Sequence, residues 1–211
     1  MAQPLHDQAY VALKEALLEG RIPPGQAVTV ASLAEFLGMN TMPMREAVRR
    51  LTAEGGLAAS ATRRLTVPDL DREHFEALIR ARLLLEPEAA ADALPFIDEG
   101  RLQALAGLDA QLSDAIRLGD VAGYMQLNYR FHFGIYRARA GSVLSPLIES
   151  LWLQFGSYMH LLFDRAPDHL VADRHQEALA AIRVADRAAL RAAIAEDIRD
   201  GLKTLRAAVG A

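Results

Sequence analysis

Apolar side chains recur along the amino-terminal stretch at Leu5, Ala9, Ala12, Leu13, Ala16 and Leu17. Steps of three and four place them on one helical face. The pattern predicts a helix over residues 5–19 that stops at Gly20, followed by a turn at RIPPGQ. From Thr29 a short helix carries Leu33, Ala34 and Leu37 on one side and ends at Gly38, a residue free to take the left-handed conformation that closes a helix. Either Asn40 or Thr41 can cap the next helix, and Pro43 falls in its first turn, where a missing backbone N–H leaves no intrahelical bond unmade. Two short helices thus meet at a tight turn. After Gly55-Gly56, the segments LAAS and LTV flank ATRR as the two arms of a small β-ribbon, and Pro68-Asp69 closes this first unit.

Beyond Asp71 no strand-like alternation survives. Apolar and alanine-rich segments recur over residues 71–93, 97–118, 120–139, 144–163, 168–185 and 187–207, broken by LGD, AGS, RAPD and VAD. An antiparallel bundle of about six helices is expected. The fold class read from the pattern is mainly α, with an amino-terminal helix-turn-helix and ribbon over residues 1–69 and a helical bundle over residues 70–211.

The helix starting near Thr41 has two unlike faces. Met44, Ala47, Val48 and Leu51 follow the offsets of a buried stripe, while Thr41, Arg45 and Arg49 lie four apart on another. Arg45, Arg49, Arg50, Arg63 and Arg64 stand against Glu46 and Glu54, a local positive excess. An arginine row alone is usually a solvated helix face. Preceded by a bracing helix and followed by a ribbon, it fits the major groove, where arginine bonds a guanine edge or a phosphate.

Charge sharpens this reading. The chain has a formal net charge of -4, so any affinity for a polyanion must be local to this helix and ribbon. At 52% hydrophobic residues, the 211-residue chain can bury a substantial core. It has no cysteine, which removes disulfides, thiolate zinc sites and cysteine nucleophiles, and is compatible with a reducing cytoplasm. MAQPLHDQAY lacks the order of a signal peptide and no apolar run is long enough to span a bilayer. A soluble cytoplasmic protein is expected.

The stretch LLEGRIPPGQAVTVASLAEFLGMNTMPMREAVRRLTAEGGL resembles the winged helix of GntR-type bacterial transcription regulators. RLLLEPEAA, NYRFHFGIY and HQEALAAI resemble, in order and spacing, segments of the FCD ligand-binding domain found in the FadR-like branch. The resemblance covers nearly the whole chain. It implies a homodimer that reads an inverted-repeat operator in double-stranded DNA, with Thr41, Arg45, Arg49, Arg50, Arg63 and Arg64 as DNA-contact candidates. Family members commonly carry Ser-Arg where Asn40 and Thr41 stand, and an Arg-Gly pair in the wing where this chain has Arg63-Arg64.

In the second unit, Asn128 and His132 are four apart and share a helix face. The resemblance adds His175 and Asp197 as further metal ligands. Asparagine at 128 stands where the family often has aspartate, and aspartate at 197 stands where metal-binding members have a histidine. Two imidazoles, a carboxylate and an amide oxygen suit zinc, nickel or manganese. The bland alternative is a hydrogen-bonded core histidine, with Asp197 paired to an arginine. Arg82 is singled out by the resemblance as a clamp for a small carboxylate effector, although Arg82 and Glu86, four apart, could equally form a helical ion pair contributing about a few tenths of a kcal/mol. Tyr158 or His160 could line the same cavity, while Trp152, Phe155 and Met159 read as core.

The expected function is a ligand-responsive transcription repressor rather than an enzyme. Two other classes compete: a metal-dependent hydrolase built on the bundle, for which no general base, phosphate loop or nucleophile motif is evident, and a dimerisation module whose DNA unit has decayed through Thr41 and the wing.

Overall fold

The computed structural model describes residues 4–22, 26–59, 64–68, 72–165 and 174–209, leaving aside the side chains of 59, 156–165 and 202–209. The amino-terminal helix α1 spans Leu5–Leu18 and buries Ala9, Leu13, Ala16 and Leu17. Helix α2 spans Val30–Phe36. Its start is fixed by a reciprocal cap in which the Thr29 side chain accepts from the Ser32 N–H and Ser32 accepts from the Thr29 N–H. Gly38, at φ 63°, turns the chain into α3, Thr41–Ala53. Met44, Ala47, Val48 and Leu51 are the buried residues of α3, the stripe expected from their spacing, and they pack mainly on α1.

The ribbon is short. Strand β1, Ala58–Ala59, pairs antiparallel with β2, Leu65–Thr66, with Ala58 opposite Thr66. Val28 adds a bridge on the far side of Leu65, exchanging N–H···O bonds of 2.7 and 3.0 Å with it. This third arm was not legible in the sequence, because a single bridging residue leaves no alternating pattern.

The second group of helices comprises α4, Arg72–Ala93; α5, Glu99–Leu118; α6, Val121–Tyr136; α7, Leu144–Arg165; α8, His175–Arg183; and α9, Arg187–Val209. A 3-10 turn at Leu94–Phe96, carrying Pro95, separates α4 from α5, so α5 starts at Glu99 with the Asp98 side chain capping the Arg101 N–H at 2.8 Å. Of the expected helix over 168–185, α8 covers His175–Arg183, and residues 168–173 lie outside the described residues. Helix α4 packs on α7 and α9, α5 on α6 and α8, and α8 on α9.

One hydrophobic core runs through both groups, from Ala9 to Ile198. Their junction is α1 and the turn after α3 against α6 and α7. A Cβ added at Gly56 would lie 3.5 Å from both Leu17 of α1 and Leu153 of α7. Beside this contact Lys14 of α1 forms an ion pair with Glu149 of α7, which also accepts from the Tyr129 hydroxyl at 3.1 Å and from Arg137.

Candidate nucleic-acid interface and metal centre

The outer face of α3 presents the side chains that the sequence singled out. Thr41 and Arg45 are exposed, and the Arg49 side chain is 73% exposed. Arg49 is not alone: its Nη2 donates to Glu46 Oε1 at 2.5 Å and its Nε to Glu46 Oε2 at 3.0 Å. That pair holds the Glu46 carboxyl below its ordinary range, with the hydrogen bond from Arg49 the largest cause. Such an exposed pair is screened and exchangeable, so it orders the guanidinium without removing it from solvent.

Arg50 behaves differently from the expectation that it joins the DNA contacts. It is half-buried, bonds Asp7 Oδ1 of α1 at 3.0 Å and lies 3.7 Å over the Tyr10 ring. Tyr10 in turn donates to Glu54 at 2.7 Å. One residue on from Arg49 is about 100° around the helix, which turns Arg50 toward α1 rather than outward. Its charge braces α3 on α1. Arg64 is exposed at the start of β2, while Arg63 lies outside the described residues.

In the bundle, α6, α8 and α9 bring His132, His175 and Asp197 together, with one ligand atom from each within 4.8 Å of the others. Both histidines are buried. Hydrogen-bond partners fix their ring orientations. Tyr136 donates its hydroxyl proton to Glu86 Oε2 at 2.8 Å, so its oxygen is left to accept from His132 Nδ1 at 3.1 Å. Asp109 Oδ1 lies 3.2 Å from His175 Nδ1 and, as a carboxylate oxygen, accepts from it. With both rings neutral, the two Nε2 lone pairs then face each other at 3.4 Å, and Asp197 Oδ2 stands 3.2 Å from His132 Nε2.

In those tautomers three acceptor atoms converge and repel one another. A divalent cation relieves this fully, whereas a proton on one ring satisfies only part of the set. In the other arrangement, with protonated rings and no metal, burial by itself would raise the Asp197 carboxyl, but the hydrogen bond and charge of His132, the charge of His175 and the Arg174 N–H at 3.1 Å hold it well below the usual carboxylate range. Asn128 is buried one turn before His132 on α6. The donor set therefore fits a metal.

Arg82 and Glu86 form the ion pair that their spacing allowed, but buried. Glu86 is 0% exposed and accepts from Arg82 Nε at 2.5 Å, Trp152 Nε1 at 3.0 Å and Tyr136. The Arg82 guanidinium lies 4.6 Å from the Trp152 ring and 4.4 Å from the Phe155 ring. A carboxylate from outside would compete with Glu86 for this fork. The side chains of Tyr158 and His160 lie outside the described residues.

Three participants escaped the sequence reading: Asp109, Tyr136 and Glu86 as an acceptor hub. Asp109 did leave a signal, since Leu102, Leu105, Asp109 and Leu112 share one buried face of α5 and a lone carboxylate interrupts an apolar stripe. Tyr136 sits four residues after His132, the spacing of a same-face partner.

Residues 5–67 match the gntR family of bacterial regulatory proteins, and residues 76–200 match the FCD domain. The chain is 29% identical over 198 residues to the HTH-type transcriptional regulator McbR of Escherichia coli, covering 92% of this chain and 89% of McbR. The solved structure of E. coli McbR/YncC superposes with a TM-score of 0.87 at 28% identity, covering 98% of this chain and 99% of that one. A GntR regulator structure from Rhodococcus, described as a putative transcriptional regulator, shares the fold at a TM-score of 0.74 and 17% identity, over 98% of each chain. No described helix is long and apolar enough to cross a membrane.

Proposed function

This chain belongs to the GntR family of bacterial regulatory proteins, in the branch that carries an FCD domain, and on that premise we propose that it is a dimeric repressor whose grip on DNA responds to a small organic acid. It is a transcription regulator and not an enzyme, which sets aside the hydrolase alternative. The proposal divides the chain into a DNA-binding unit over 1–69 and an effector and dimerisation unit over 70–211, working in the cytoplasm. The observation that carries it is the outward stripe of Thr41, Arg45 and Arg49 on a helix whose other face is wholly buried. Arg64, with Arg63 beside it in sequence, extends the positive charge along the ribbon. Two copies related by a two-fold axis present two such helices to an inverted repeat.

His132, His175 and Asp197, with Asn128, would hold a zinc, nickel or manganese ion. Bound there, such an ion supplies a Lewis-acidic coordination point for a carboxylate effector. Asp109 and Tyr136 hold the two imidazoles with their Nε2 atoms turned to that point. For Arg82 to clamp an incoming carboxylate, its pair with Glu86 opens, so capture and rearrangement of α4 against α7 are one event; Tyr158, on α7, is the second effector-side candidate. An effector shifts DNA affinity only by its unequal affinity for the two arrangements.

Fluorescence anisotropy with the native upstream duplex tests the first half. Operator-specific affinity should fall steeply with salt as phosphate contacts release counterions. Equal binding to unrelated duplexes at all salt concentrations would contradict it. For the second half, zinc, nickel or manganese at about a hundred times its dissociation constant should stabilise the fold by about 2.7 kcal/mol, read as a rise in the thermal midpoint. His175→Ala should abolish that rise, and Asp109→Asn should weaken metal affinity by about 10- to 100-fold in calorimetric titration, since it loosens a ring without removing a ligand. A midpoint rise that survives His175→Ala would place the metal elsewhere.

A further inference from the structure

Two residues at the amino end of α3 have no evident work inside the protein. Asn40 is the N-cap of the helix, a position at which the side-chain oxygen ordinarily accepts from the first turn's N–H groups, yet it makes no capping hydrogen bond and is exposed. Met42 is 75% exposed, among the most exposed of the large apolar side chains, although α3 buries Met44 two residues later. A lone exposed apolar residue is ordinary on a protein surface. This one is placed differently: Met42, Arg45 and Arg49 follow offsets of three and seven, so Met42 shares the outward stripe of the arginines.

The chemistry of these two side chains is that of an A·T pair. An asparagine amide matches the adenine N6 donor and N7 acceptor on the major-groove edge, and an apolar side chain matches the thymine C5-methyl group. Residues at the start of a recognition helix are the ones that reach base edges. We propose that Asn40 and Met42 form an A·T-reading subsite at the tip of α3, with Asn40 on adenine and Met42 on a thymine methyl, beside Arg45 and Arg49. It rests on the reading of α3 as the DNA-reading helix and adds which bases its first turn selects.

The experiment uses the full chain and a duplex that it selects from a randomised library. Single thymines are replaced by deoxyuridine, which deletes only the methyl group, and single adenines by 7-deazaadenine, which deletes only the N7 acceptor. One thymine in each half-site should prove sensitive, losing about fourfold in affinity per half-site, the equivalent of one buried methyl group. That sensitivity should vanish in Met42→Ala while the 7-deazaadenine sensitivity persists, and the reverse should hold in Asn40→Ala. Both side chains are exposed, so unfolding midpoints should stay near that of the parent chain and report any misfolding separately. If both variants retain every analogue sensitivity of the parent chain, the subsite is refuted while DNA binding stands. If no duplex is selected at all, the DNA-reading assignment of α3 fails, and the subsite with it.

Discussion

A chain carrying Arg45→Ala and Arg49→Ala is expected to lose at least about a hundredfold in affinity for its operator while folding normally. Both side chains are exposed and neither fills the core, so the loss falls on DNA contacts rather than on stability. Each arginine that bonds a guanine edge or a phosphate carries a separable share of affinity, and in the proposed dimer the paired helices would double the effect. Arg50→Ala is the internal control. Its guanidinium is spent on Asp7 and Tyr10, so its removal should loosen α3 from α1 and lower the unfolding midpoint, with a smaller effect on operator affinity at temperatures where the variant is folded. An Arg45, Arg49 double variant that binds operator like the parent chain would dissociate the helix from DNA reading.

The second large effect is on stability. Glu86→Ala removes the acceptor for Arg82, Tyr136 and Trp152 at once and leaves the Arg82 charge buried without its partner. Breaking a buried pair from one side typically costs about 3–5 kcal/mol, and the two orphaned neutral donors add to it. Urea unfolding of the single variant should show the full loss. In Arg82→Met with Glu86→Leu, the uncompensated charge is gone, and most of the stability should return. If the single variant unfolds at the parent's urea midpoint, the pair is not the buried hub described.

Much of the fold was legible because its helices are amphipathic and punctuated. In α3 the sequence placed Met44, Ala47, Val48 and Leu51 inward, and the structure buries those four. Helix ends were less legible, since Pro95 and the Asp98 cap compete for the start of α5 and only packing decides between them. Charge roles were the hardest to foresee. Arg49 and Arg50 are adjacent and chemically identical, and their division of labour depends on Asp7 and Tyr10, which lie 43 and 40 positions before Arg50 along the chain. The metal candidates His132, His175 and Asp197 came from motif order, and the structure brings them together; their supporting residues Asp109 and Tyr136 come from facing elements that no local spacing connects.

Helix α7 touches opposite partners with neighbouring residues. Trp152 bonds Glu86 beside the buried histidines, while Leu153 meets Gly56 and Glu149 meets Lys14 on the DNA-binding side. A rod gripped from both flanks cannot roll for one without dragging the other. Any chemical event that twists Trp152 in its seat is therefore felt as torque at the base of the reading head, with no need for a long relay of intermediates.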